Sequence, residues 1–176
     1  MSTAAKARPQ SSEYAPYYDK YISKVPDGDV VATLGRQLEE TLTVIRAIPE
    51  ARGTYRYADG KWSIKELIGH VIDSERVFAY RALRFGRGDT TPLSGFEQDD
   101  FVKGADFDKM TLSDLAAEYE HVRRSTIALF GSLEPEAWDR RGLANDNEVS
   151  VRGLAYIVAG HERHHLEVLQ AKYLTD

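Results

Sequence analysis

The sequence predicts an all-α fold, a four-helix bundle with long interhelical loops. Three observations predict it. Four stretches repeat apolar side chains at three-four spacing, which lays them along one face of a helix. Residues that start and stop helices flank those stretches. The chain has 176 residues, enough for one domain with a sizeable core and too few for two ordinary ones. Four amphipathic helices in one domain bury their stripes against one another.

The first helix is expected over Asp29–Ile48, with Val31, Leu34, Leu38, Leu42, Ile45 and Ile48 on one face. Asp29 is its N-cap and Pro49 its stop. The segment Thr54–Lys61 reads as loop, because Trp62 and Ser63 lead straight into the next helix. That second helix is expected over Ser63–Phe85. Ser63 and Glu66 form a capping box, and Gly86 and Gly88 end the helix. Ile64, Leu67, Val71, Ser74, Phe78, Ala82 and Phe85 make its buried stripe. A polar stretch, Asp89–Met110, is too long for a tight turn. The third helix is expected over Thr111–Leu133, with Leu112, Leu115, Tyr119, Val122, Thr126, Leu129 and Leu133 inward. Pro135 follows, then a loop, Glu136–Glu148, rich in Arg, Gly and Asn. The fourth helix runs over Ser150–Leu174, with Leu154, Ile157, Val158, Val168 and Leu169 inward.

Composition narrows the function classes. There is no cysteine. That excludes a disulfide framework, a thiolate metal site, an iron–sulfur cluster and a protein thiol nucleophile. Any metal must be held by His, Asp or Glu. The net charge of -5, without a basic cluster, argues against nucleic-acid binding. No apolar run is long enough to span a membrane. The start, MSTAAKARPQSS, lacks the apolar core of a signal peptide. It is expected to be a loose, disordered N-terminus over residues 1–12 of a cytoplasmic protein, with residues 13–176 forming the domain.

The chain has five histidines, and three fall in the window Gly160–His165. On a helix, His161 and His165 lie about 40° apart and one turn along, so both imidazoles reach one point. Both fall inside the apolar stripe of the fourth helix, where unpaired imidazoles are costly. His164 lies at the edge of that stripe. His70, on the flank of the second helix's stripe, is the natural third ligand, with Asp73 and Glu66 one turn either way as acceptors for its ring. His121 falls on the solvent side of the third helix. Arg81 and Arg84 are candidates to meet an anionic cofactor or to make surface ion pairs, and Tyr17, Tyr18 and Tyr21 to line a pocket or cover the bundle end.

His161–His165 also reads as the zinc-peptidase motif His-Glu-x-x-His, with Glu162 as general base. Only eleven residues follow His165, and none is His, so the usual downstream third ligand is missing.

The whole chain offers another reading. The run from Gly60 to Arg76, GKWSIKELIGHVIDSER, resembles the DinB-like superfamily, as do Phe78–Val102 and the closing HERHHLEVL from His161 to Leu169. The opening Glu13–Asp29 is similar to the start of one of its branches. The resemblance implies an up-down-down-up bundle, often a homodimer. It implies a divalent metal, commonly zinc or nickel, bound by three His. His70 matches the first ligand, His161 the second and His165 the third, whereas His164 matches a frequent non-ligand. Val168 departs from the pattern, standing where many relatives carry Gln. Characterised members include thiol-dependent transferases and isomerases that use bacillithiol or mycothiol. The expectation is therefore a metal-dependent S-transferase acting on a small-molecule electrophile with a low-molecular-weight thiol. A hydrolase using metal-bound water is the nearest alternative. A dimeric binding or stress-response protein with a structural or vestigial metal is the third.

Overall fold

The computed structural model describes residues 7–175. Four long helices carry the fold: α2 (Val30–Ala47), α3 (Ile64–Gly86), α5 (Leu112–Gly131) and α6 (Val151–Val168). Two short ones, α1 (Asp19–Ile22) and α4 (Gln98–Ala105), pack around them.

The caps act as the sequence suggests. Asp29 accepts from the amides of Val31 and Ala32. Ser63 and Glu66 close a reciprocal capping box on α3. Thr111 and Ser150 cap α5 and α6 by accepting from Asp114 and Gly153. Each satisfies amides that the first helical turn leaves without partners.

Two apolar clusters reveal the topology. One joins Val30 and Leu34 from the start of α2 with Phe78 and Phe85 from the end of α3, Phe130 from the end of α5 and Leu154 from the start of α6. The other joins Leu42 and Ile45, late in α2, with Ile64 and Leu67, Leu112 and Leu115, and Leu166 and Leu169. So α2 and α6 run one way while α3 and α5 run the other: up-down-down-up. Helices α2 and α3 sit on a diagonal, each flanked by α5 and α6. Because α3 and α5 are parallel, residues 87–111 must return along the bundle, about 34 Å for a helix the length of α3. The long polar stretch is that return, and it is partly ordered as α4 and a 3₁₀ turn, Phe107–Lys109.

Three regions differ from the sequence reading. The loop after α5 contains a hairpin, β1 (Arg141–Ala144) with β2 (Asn147–Ser150). Its two-residue turn, Asn145–Asp146, has both φ values positive, at 52° and 59°, as a type I′ turn requires. The buried stripe of α5 runs through Tyr119, Arg123, Thr126 and Phe130, leaving Val122 and Leu129 half-buried. Helix α6 ends at Val168 and continues as a π-helical turn, Leu169–Tyr173.

Residues 1–6 of the expected loose terminus lie outside the described residues. Within the remainder, Arg8 donates to the carboxylate of Asp27 and to the carbonyls of Ile22 and Val25. Ser11–Glu13 forms a 3₁₀ turn, and buried Glu13 accepts from Ser150 Oγ at 2.7 Å. The Ser11–Glu13 turn is thereby tied to the cap of α6. Among the described residues no helix is long and apolar enough to cross a membrane.

Candidate metal centre

The two apolar clusters leave a layer between them, and most of the buried polar side chains of the long helices collect there. Helix α2 contributes Gln37 and Thr41, α3 His70, Ser74 and Glu75, α5 Arg123 and Thr126, and α6 His161 and Glu162. Burial on this scale is stable only where the groups satisfy one another.

One half of the layer is a charge network. Arg123, fully buried, forks onto Glu75, with Nε to Oε1 at 2.8 Å and Nη2 to Oε2 at 2.8 Å. Its Nη1 donates to Glu162 at 3.2 Å. Glu162 also accepts from Tyr119 at 3.2 Å and from Thr41. Its carboxylate is therefore engaged by α2 and α5 and is not free as a base beside the histidines. That removes the structural basis for the peptidase reading.

The other half is the histidine cluster. His70 Nε2 lies 3.1 Å from His161 Nε2, which lies 3.2 Å from His165 Nε2. The three ligand atoms are all within 4.8 Å of one another. Two nitrogens on a tetrahedral ion at about 2.0–2.1 Å stand roughly 3.3 Å apart, so the two short separations match ligands that share an ion. Three imidazole nitrogens converging in a buried site also need a common electrophile, because one N–H on His161 can serve only one neighbour. The donor set therefore fits a divalent metal.

Burial holds all three rings in the neutral form a metal needs. It pushes His70 down to about 4. It drives His161 well below the ordinary imidazole value, helped by His165 and His70. His165 is lowered mainly by burial, then by His70. Ser74 Oγ lies 3.4 Å from His70 Nδ1. A proton on Nδ1 shared with Ser74 leaves Nε2 with its lone pair turned inward. The expected acceptors do not take this part: Asp73 pairs with Arg76, and Glu66 with Arg56 and its capping box. Aromatic rings wall the cluster. Trp62 leans on His70 at 4.6 Å, and Tyr21 and Phe78 meet His161 edge-on at 5.2 and 5.7 Å.

Two glycines make these approaches possible. A Cβ on Gly160 would sit 2.1 Å from the carbonyl oxygen of Tyr21, so only glycine lets α1 lie against α6 here. A Cβ on Gly69 would sit 2.5 Å from the Phe107 ring, so glycine there lets that ring lie against α3 beside the His70 position.

The cluster opens on a cavity of about 380 Å³, bordered by His70 and His161. Tyr17, Tyr18 and Tyr21 form one side, the segment Gly95–Asp99 and the hairpin tip another. Arg81 also borders it, whereas Arg84 is turned away to Asp89 and Tyr80. His121 is exposed, and His164 is half-buried with its ring edge on Tyr21. The tyrosines thus line the cavity instead of merely covering the bundle end. The sequence did not single out Arg123 or Glu75, and it marked Trp62 only as part of the family-like run that contains His70. The i, i+4, i+7 spacing of Tyr119, Arg123 and Thr126 was the available signal for Arg123.

Comparison with known proteins bears on this arrangement. The chain is 27% identical over 138 residues to the Oceanobacillus iheyensis protein named "Putative metal-dependent hydrolase OB0413", covering 77% of each chain. Its fold superposes on YfiT from Bacillus subtilis, described as a probable metal-dependent hydrolase with an unusual four-helix bundle topology. That match has a TM-score of 0.70 at 16% identity and covers 94% of this chain and 90% of that one. A mycothiol-dependent maleylpyruvate isomerase matches with a TM-score of 0.66 at 14% identity, over 82% of this chain and 61% of that chain. At such identities the two structures speak for the fold alone. Residues 33–169 match the family model of the DinB superfamily, from α2 through the last histidine, and the chain belongs to that superfamily.

Proposed function

We propose that His70, His161 and His165 hold one divalent metal ion, zinc or nickel, and that the centre serves a thiol-dependent S-transfer to a small-molecule electrophile. The observation that carries this reading is the convergence of three neutral imidazoles, His70 and His161 buried and His165 half-buried, beside an open cavity that His70 and His161 border, with no carboxylate joining the cluster among the described residues. A divalent ion on three neutral ligands keeps its charge and lowers the pKa of a thiol or water that reaches it. With Glu162 engaged elsewhere the cluster offers no protein base, and the charge of a metal held by the three histidines would let a thiol give up its proton to solvent. The chain's own part is to orient and to dry. Ser74 Oγ stands where it can accept from Nδ1–H of His70, the tautomer that frees Nε2 for a metal. Trp62, Tyr21 and Phe78 keep bulk water from the ligand rings, which strengthens every electrostatic interaction inside.

A metal-dependent hydrolase is the second reading, favoured by the names of the Oceanobacillus protein and of YfiT. Elemental analysis of purified protein tests the centre: one ion per chain is expected, lost in His161→Ala. Folded protein that takes up no metal refutes it. Turnover of chlorodinitrobenzene only with added thiol supports transfer. Metal-dependent cleavage of nitrophenyl esters without any thiol supports hydrolysis instead.

A further inference from the structure

The described residues include three buried cations, and two have carboxylate partners. Lys65 meets Glu50 at 2.6 Å, and Arg123 lies between Glu75 and Glu162. Arg81 is 4% exposed and has no carboxylate within ion-pair distance among the described residues. Its Nη2 donates to the carbonyl of Ser94 at 2.9 Å, and the hydroxyl of Tyr18 lies beside the guanidinium. A guanidinium carries five N–H donors, and most of them are left over. They are not sealed in, because none of its nitrogens is among the fully buried polar atoms without partners. The space they reach is the cavity that His70 and His161 border.

A buried charge without a counter-charge is costly to maintain, and a binding site is where such a charge is used. Its position is suited to that use. Arg81 follows His70 by eleven residues, which returns to within about 20° of the same helix face, roughly 16 Å along α3. Its side chain leans back toward the helix start, and so toward the histidines. The carboxylates bordering the cavity, Glu97 and Asp99, are exposed at its water-facing rim, where solvent screens them.

We infer that the cavity binds a small molecule bearing a carboxylate, that Arg81 holds this carboxylate, and that the molecule's reacting end is thereby directed to the histidine cluster. The anchor rests on the cavity and on Arg81; the assignment of the other end rests on the metal-centre reading. A guanidinium–carboxylate pair in a drier site discriminates strongly against a neutral isostere, because the amide leaves the cation without its partner.

The test is calorimetric binding to metal-loaded protein of ω-mercaptocarboxylic acids of increasing chain length, each beside its primary amide. Glutarate, which has no thiol, is a third probe. The acid is expected to bind about tenfold or more tightly than its amide at the chain length that spans the cavity. Arg81→Met is expected to erase that preference while leaving affinity for the amide unchanged. Arg81→Lys is expected to keep part of it. Equal binding of acid and amide by the unaltered protein overturns the inference whether or not the variants fold, and leaves the metal reading intact. A preference that survives in folded Arg81→Met also overturns it. Binding of glutarate that depends on Arg81, with no advantage for any thiol, upholds the anchor and refutes the thiol reading. Failure of every carboxylate to bind at millimolar concentration overturns the anchor.

Discussion

Replacing Arg123 with methionine tests the layer that supports the histidines. The guanidinium is fully buried and donates to both Glu75 and Glu162. Methionine fills most of the space but leaves two carboxylates at 3% and 2% exposure without a counter-charge. Removing one partner of a buried ion pair costs about 3–5 kcal/mol. For a chain of this length each kcal/mol moves the melting temperature by about 2–4 °C, so a fall of roughly 10 °C is expected. Circular dichroism during heating, and the urea midpoint at unchanged slope, read it directly. A triple variant, Glu75→Gln, Arg123→Met and Glu162→Gln, removes the charges together and keeps acceptors for Thr41 and Tyr119. It is expected to regain most of the loss, because a neutral replacement of a buried network is often close to neutral in stability. The reasoning fails if Arg123→Met melts within about 1 kcal/mol of the unaltered protein, or if the triple variant is no more stable than the single one.

Other outcomes follow from the same geometry. Chelation of the metal is expected to lower the melting temperature by about 5–10 °C if the ion was present at roughly a hundredfold its dissociation constant, with recovery on adding it back. Ser74→Ala removes the acceptor beside His70 Nδ1, and metal affinity measured by competition with a chromogenic chelator is expected to drop about tenfold or more. Gly160→Ala drives a methyl group into the Tyr21 carbonyl, with a cost of about 1–3 kcal/mol in urea unfolding and loss of the Tyr21–His161 contact. Arg84 holds the Asp89 carboxyl down at about 2, so its NMR titration is expected near there and back toward 3.8 in Arg84→Met. Because the folded value is depressed, this pair's small contribution is present above pH 3.8 and is lost as pH falls toward 2.

The periodicity of α2, α3 and α6 was legible because apolar side chains dominate the inward face of each, even though Gln37, His70 and His161 interrupt those faces at the middle layer. On α5 the stripe was displaced. Val122 is more apolar than Arg123, yet Arg123 faces inward because it finds two carboxylates there, and the same rotation of the helix buries Phe130 and leaves Leu129 half-buried. The hairpin escaped notice because its strands are four residues long and its turn, Asn145–Asp146, reaches positive φ without glycine. Helix α4 was hidden among acidic residues that offer almost no apolar face, with Val102 alone buried.

The sequence by itself determined the number of long helices, their caps, the absence of any thiolate ligand, and the pairing of His161 with His165, since four residues on a helix place two side chains together whatever surrounds them. The placement of His70 opposite them, of Ser74 behind His70, and of Glu162 away from the cluster was decided only by tertiary structure. So was the contrast between Arg81, buried without a carboxylate partner among the described residues, and Arg84, paired with Asp89. These depend on how α3 and α6 run antiparallel with two apolar clusters above and below, and local periodicity carries no information about which face of one helix meets which level of another.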